Sequence, residues 1–209
     1  MCNLYRMTKS KDEVAKWFDA IETLGGANFA DEIYPGYPGL VVAGGEVRQM
    51  TWGFPLVMKG KNGQPLKPKP VNNARTDKLD SFFWRYSFEE RRCLIPVSAW
   101  AEAQGPKGAK TRTWMSLPDQ SLFAVAGVWR ESDEFGLCYS MVMTDSAGSA
   151  SADIHSRMPV LLSQADYDGW LSGSPDEAKA LCTAWKGDIT IDATDESWTR
   201  GKVSQASLF

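Results

Sequence analysis

The strongest constraint on this chain is a series of short apolar runs, separated by turn residues, that starts near residue 40 and continues to residue 162. The runs are 40–43, 47–54, 93–103, 113–117, 122–129, 137–144 and 158–162. Between them lie a basic Pro/Gly-rich loop at 59–70 and turn-rich segments at 105–108 and 131–136. Strands at this spacing, with no long helix between them, predict antiparallel meanders. One helix is expected ahead of them. Ser10 and Glu13 fit a capping box, and Val14, Trp17, Phe18, Ile21 and Leu24 follow helical spacing until Gly25-Gly26. That face is expected in the core. Two short helices are expected at 164–171 and 175–185, with Ser163 capping the first and Pro175 in the first turn of the second. The tail from Thr194 is polar and reads as irregular. With no repeat and no linker, the 209 residues predict a single α+β domain, 1–209. Its core is expected to be a curved, mainly antiparallel sheet, closed towards a barrel, with peripheral helices.

Composition narrows the class. Hydrophobic residues make up 43% and charged residues 23%, as in soluble globular proteins. The N-terminus MCNLYRMTKSKDE lacks an apolar signal core, and no stretch approaches the roughly 18 apolar residues of a membrane span. Cys2, Cys93, Cys138 and Cys182 are scattered and form no CxxC, which argues against zinc and against a disulfide framework. A cytoplasmic monomer with reduced thiols, no metal and no cofactor is expected. Nine Trp is a high count, serving either the core or a binding platform. Net charge is −3, yet residues 59–112 carry +7 and the remainder −10. This asymmetry marks either a basic face or a solvated loop holding Lys59, Lys61, Lys67 and Lys69.

Cys2 follows Met1 directly. Removal of Met1 would leave a free α-amine and a thiol on one residue. An aldehyde that condenses with the amine forms an imine, and the thiol can close on the imine carbon to make a thiazolidine. An internal cysteine cannot do this, because its nitrogen is locked in an amide. Otherwise position 2 is simply the start of the chain.

Three further sites carry candidate chemistry. His155, the single histidine, sits in DIHSRMP after a small-residue loop, and histidine is the usual acid–base group near neutral pH. A lone histidine is also often structural. Glu102 ends the apolar run 93–103, so it is either an edge residue in water or a buried group that needs a partner. Asn73-Ala74-Arg75 offers an amide and a guanidinium fork suited to phosphate, or else a plain turn.

Taken together, these elements resemble the SRAP family, the SOS response-associated peptidase or abasic-site processing proteins. The resemblance rests on MCNLY, Trp52-Gly53, Asn73-Ala74-Arg75, RRCLIPVSAWAEA with its glutamate, AGVW at 126–129 and DIHSRMPVLL at 153–162, in order and spacing. It implies a protein that binds single-stranded DNA and crosslinks to abasic sites through Cys2. By residue, it implies Cys2 as nucleophile with Asn73, Glu102 and His155 around it, Arg75 and Arg157 as phosphate contacts, and Trp52 near the DNA groove. The chain departs from the family at Asp77, where Glu is frequent, at Ala103, where an aromatic is frequent, and after Trp52-Gly53, where a paired Trp is absent. Two other classes remain open: an N-terminal thiol hydrolase or autopeptidase that removes Met1, and a non-catalytic single-stranded DNA binding module.

Overall fold

The computed structural model describes residues 1–24 and 30–199. Gly25-Gly26, the expected helix stop, lies outside the described residues. The chain opens with β1 (Tyr5–Arg6), α1 (Lys11–Trp17), β2 (Ile21–Glu22), β3 (Glu32–Ile33), β4 (Pro38–Ala43) and β5 (Glu46–Trp52). Next come β6 (Phe54–Leu56), β7 (Lys69–Val71), β8 (Asn73–Arg75), α2 (Arg85–Glu90), β9 (Arg92–Val97) and β10 (Ala99–Gln104). The rest is β11 (Thr111–Ser116), β12 (Phe123–Ser132), β13 (Gly136–Asp145), β14 (Arg157–Pro159), β15 (Leu161–Leu162), α3 (Tyr167–Ser172), α4 (Pro175–Ala180) and β16 (Thr190–Ser197).

Five strands close a barrel in the order β5, β4, β9, β12, β13. The ring shuts where β13 runs parallel to β5, with Cys138 opposite Thr51 and Tyr139 opposite Trp52. All of β9 is buried, as are six consecutive residues of β12 and seven of β13. Strands covered on both sides read as continuous apolar runs instead of alternating ones, as these do in the sequence. At its far end β13 is flanked by β8, running parallel to it, and β14, running antiparallel. Trp52-Gly53 makes the turn from β5 to β6. Gly53 has φ +119°, and a Cβ there would collide with Pro70, so glycine is required.

A second antiparallel sheet has the order β16, β11, β10, β1, β3. Its register sorts side chains onto two faces. Tyr5 pairs with Trp100 and Ile33, and Glu102 pairs with Thr113, which puts these residues on the face that meets the barrel core. Arg6, Glu32, Arg112 and Trp114 alternate onto the opposite face.

Several expectations are corrected. The run 93–103 is not one strand: it breaks at Ser98, and β9 serves the barrel while β10 serves the second sheet. Likewise 158–162 divides into β14 and β15. The first helix stops at Trp17 because Asp19 takes φ 49°. Ile21 then joins a short strand and is exposed, Trp17 is exposed, and only Val14 and Ala15 of the helix are buried. The Ser10/Glu13 capping box forms as expected. Ser163 caps a 3-10 turn that leads into α3, and α4 ends at Ala180. The start of the polar tail is not irregular: residues 190–197 form an edge strand on β11, and residues 200–209 lie outside the described residues. The basic segment 59–112 is not a single face either. Arg92 is buried and donates to the carbonyls of Phe88, Trp170 and Gly173 at two helix ends, and Arg112 is buried in an ion-pair network.

Candidate active site

Cys2 is fully buried where the N-terminal segment runs beside β10, with Ala101 N donating to Leu4 O (3.0 Å). Its carbonyl accepts two amide donors, Asn72 Nδ2 and Asn73 Nδ2, each at 2.8 Å. Asn72 also reaches Asn3 Oδ1 (3.1 Å). Asn72 is the single residue between β7 and β8, and Asn73 is the first residue of β8. These bonds fix the main chain on the C-terminal side of Cys2. The thiol lies 3.4 Å from Leu4 O. Burial first, and the Glu102 charge second, push this thiol well above the ordinary cysteine value.

On the N-terminal side two titratable groups converge. The Met1 amine lies 2.7 Å from His155 Nε2 and 3.4 Å from Glu102 Oε2. Glu102 is buried, and its carboxyl is raised above the ordinary range. Burial drives the rise, against the lowering pull of the terminal amine and His155. Glu102 Oε1 and Asn73 Oδ1 are buried with no hydrogen-bond partner among the described residues. Buried acceptors left unpaired are costly, so they are expected to serve a bound group.

His155 is tied down from several sides. Ser146 Oγ donates to its carbonyl (2.6 Å), its own N–H reaches Ser151 O (3.2 Å), and Gln104 Nε2 donates to Ile154 O (2.6 Å). Its Nδ1 accepts the Arg157 N–H (3.0 Å). The neutral ring therefore carries its proton on Nε2, the atom turned towards the chain terminus. That edge can donate to an oxygen.

The structure thus brings Cys2, Asn73, Glu102 and His155 together. Arg75 and Arg157 lie beside them, two residues beyond Asn73 and His155, and partly exposed. Trp52 does not line a groove. It is fully buried, packs edge-on against Tyr5 (5.0 Å, 81°) and donates Nε1 to Asn72 O (3.1 Å). A ring with no exposed face cannot stack on a base, so the expected DNA contact is corrected to a support for the Asn72–Cys2 bond. Five of the nine tryptophans are buried and Trp17 alone is exposed. Asn72, Gln104 and Ser146 escaped the sequence reading. The Asn72-Asn73 doublet and the two-residue spacing of Glu102 and Gln104 were the signals available.

Residues 1–197 match the family described as SOS response associated peptidase (SRAP). The chain belongs to the SRAP family. It is similar to the abasic site processing protein YoaM of Bacillus subtilis (strain 168), 26% identical over 148 residues, covering 67% of this chain and 64% of that protein. It is also similar to the abasic site processing protein YoqW of Bacillus phage SPbeta, 27% identical over 149 residues, covering 67% and 65%. The match spans just under two thirds of each relative's length. A solved Bordetella bronchiseptica protein superposes with a TM-score of 0.76 at 20% identity, over 92% of this chain and 99% of that one. One from Bacteroides thetaiotaomicron gives 0.75 at 17%, over 92% and 91%. These show that the fold is shared. In this SRAP chain no helix among the described residues is long and apolar enough to cross a membrane.

Proposed function

We propose that this SRAP protein, once Met1 is removed, captures abasic sites in single-stranded DNA as a thiazolidine on Cys2. The observation that carries the reading is the position of the group attached to the Cys2 nitrogen, which sits between His155 Nε2 and Glu102 Oε2. The Cys2 carbonyl is held rigidly by two asparagines on the other side. In the processed chain that pocket would receive the sugar.

The chemistry follows from these positions. A ring-opened abasic sugar presents an aldehyde. The Cys2 thiol is kept protonated by burial, so the amine attacks first. Glu102, whose raised carboxyl suits proton exchange, takes the proton from nitrogen. With His155 Nε2–H hydrogen-bonded to it, the carbonyl oxygen takes both protons it needs from Glu102, one held on the raised carboxyl and one relayed from nitrogen, and leaves as water, giving an iminium. The thiol sulfur adds to the iminium carbon and its proton returns to Glu102. Aldehyde and aminothiol thus become thiazolidine and one water. Arg75 and Arg157 would hold flanking phosphates, so binding weakens as salt rises.

The test is an adduct assay on abasic single-stranded DNA, with the N-terminal mass measured on the same sample. The protein lacking Met1 should give a denaturation-resistant adduct, smaller than the sum of its parts by one water. Cys2→Ala and Met1-bearing chains should give none. Equal adduct from Cys2→Ala, or none from the processed protein, ends the proposal.

A second reading has its own support. The Met1 amine already engages His155 and Glu102, with the Met1–Cys2 peptide between them and the Cys2 side chain. That arrangement suits self-removal of Met1. Expressed without methionine aminopeptidase, the wild type should lose Met1 and Glu102→Ala should retain it; retention by both excludes autoprocessing.

A further inference from the structure

Arg75 and Arg157 converge on one carboxylate. Arg75 Nε donates to Asp77 Oδ1 (2.8 Å) and Nη2 to Oδ2 (2.5 Å), while Arg157 Nη1 lies 3.8 Å from Oδ1. The arginines arrive on opposite flanks of β13, Arg75 beside Met143 and Arg157 beside Asp145. Each lies two residues beyond a residue of the reaction centre, Arg75 along β8 from Asn73 and Arg157 past the bend at Ser156 from His155. The Arg75 fork is used in the two-bonded geometry by which a guanidinium takes either a carboxylate or a phosphate. Asp77 is half exposed and sits on a short 3-10 turn, with no other side chain hydrogen-bonded to its carboxylate among the described residues. The Arg75 hydrogen bond holds its carboxyl below the ordinary range, so it is ionised at neutral pH.

We propose that Asp77 is a displaceable stand-in for a backbone phosphate. It occupies the Arg75–Arg157 fork in the free protein and yields it when a strand binds. The inference rests on the single-stranded DNA reading above and adds to it a brake on reversible strand binding. Every strand must displace Asp77 and then meet its negative charge. An undamaged strand has only reversible contacts to set against that, whereas an abasic strand is trapped by the covalent step. An exposed carboxylate pair of this kind is weak enough for a phosphate to displace. It is also strong enough to lower affinity for undamaged DNA several-fold.

The test compares wild type, Asp77→Asn and the double variant Asp77→Asn/Arg75→Gln, each lacking Met1. Binding of an undamaged oligo-dT strand is followed by fluorescence anisotropy over a range of salt concentrations. A mixture of abasic and undamaged strands is then offered for capture. Asp77→Asn should bind oligo-dT about three- to fivefold tighter at low salt. The slope of log K against log salt should steepen by about 0.7, one more net counterion released. The gain should vanish in the double variant, and at limiting abasic strand the undamaged competitor should inhibit capture by Asp77→Asn at an about three- to fivefold lower concentration than it inhibits wild type. Equal or weaker binding by Asp77→Asn, restored by Asp77→Glu, would make Asp77 a brace that aligns the arginines and overturn the inference. If the wild type neither binds oligo-dT nor forms the abasic adduct, the DNA reading and this inference fall together. If it does both and Asp77→Asn gains nothing, this inference falls alone.

Discussion

The two faces of the second sheet treat their buried charges in opposite ways. On the outer face Glu32 accepts from Arg6 Nη2 (2.9 Å), Arg112 Nη1 (3.0 Å) and Tyr34 Oη (3.0 Å), and Glu196 joins the same arginines. Arg6 also lies over the Trp114 ring at 3.7 Å. Burial alone would raise Glu32, but the hydrogen bonds from Arg6 and Tyr34 and the Arg112 charge outweigh it and hold the carboxyl below the ordinary range. On the inner face of the same sheet Glu102 has one oxygen 3.4 Å from the Met1 amine and the other unpaired, and its carboxyl is raised. The strands and their register are common to both faces, so the backbone is not the difference. The outer face offers a carboxylate every donor it can use, and the inner face withholds them. The first arrangement ties β1, β3, β11 and β16 together. The second leaves a raised, poorly paired carboxyl beside the chain terminus, at a cost in stability.

The largest expected effect would break that comparison on its inner side. Glu102→Gln removes the proposed proton carrier while preserving shape. The rate of abasic adduct formation should fall about 10²- to 10⁴-fold, measured by single-turnover gel assay. Thermal unfolding of the same variant at neutral pH should occur at the same temperature as wild type or higher, because a poorly paired buried carboxyl is gone. A variant that loses both activity and stability would show that Glu102 is structural, like Glu32.

These outcomes bear on what the sequence could disclose. The barrel was legible because β9, β12 and β13 are covered on both sides, and continuous apolar runs survive any uncertainty about faces. Its closure was not, because the β13–β5 pairing joins residues far apart in the chain through backbone bonds alone. The inner helix face was misread because Ile21 and Leu24 keep helical spacing after Asp19 has already turned the chain. Cys2, Asn73, Glu102 and His155 were legible through family resemblance, since each residue alone had an ordinary explanation. Which face Glu102 takes could not be read from alternation. Trp100, Glu102 and Gln104 share one face with Ala99, Ala101 and Ala103 on the other, and small residues leave the pattern without contrast. Trp52 was misplaced for a related reason: tryptophan signals a platform and a core equally well.

A middle-sized effect is expected on the outer face. Glu32→Gln should destabilise the fold by about 1–2 kcal/mol, since the buried Arg112 loses the carboxylate charge that it shares with Arg6. Chemical denaturation would measure this, and adduct yield per folded molecule should hold. The pH dependences should also oppose each other. The raised Glu102 binds its proton more tightly folded than unfolded, so its contribution is complete below the ordinary carboxylate range and is lost as pH rises through the folded value. Glu102→Gln should therefore gain on wild type as pH increases across that window. The lowered Glu32 contributes above the ordinary range and loses its contribution as pH falls through its depressed value. The deficit of Glu32→Gln should shrink on acidification. Parallel curves for the two variants would erase the distinction between the faces.

The smallest expected effect asks whether the inner face also positions the histidine. Gln104 lies two residues beyond Glu102 on the same side of β10, and its amide holds Ile154 O at 2.6 Å, next to His155. One strand therefore supplies the carboxylate and also ties the loop that carries its partner. The tie is one of several: Ser146 and Ser151 hold His155 through its own main chain. Loss of one bond among these should loosen the ring without freeing it. Gln104→Ala should slow adduct formation at saturating DNA about three- to tenfold, less than removal of a general acid or base. The DNA concentration for half-maximal rate should stay the same, because the Gln104 amide is bonded to the Ile154 carbonyl and would act through the His155 loop. A merely structural role would lower the unfolding temperature and leave the saturated rate per folded molecule unchanged. A fall as deep as that of Glu102→Gln would mean the loop depends on this single tie, and no change in rate would leave His155 set by Ser146 and Ser151 alone.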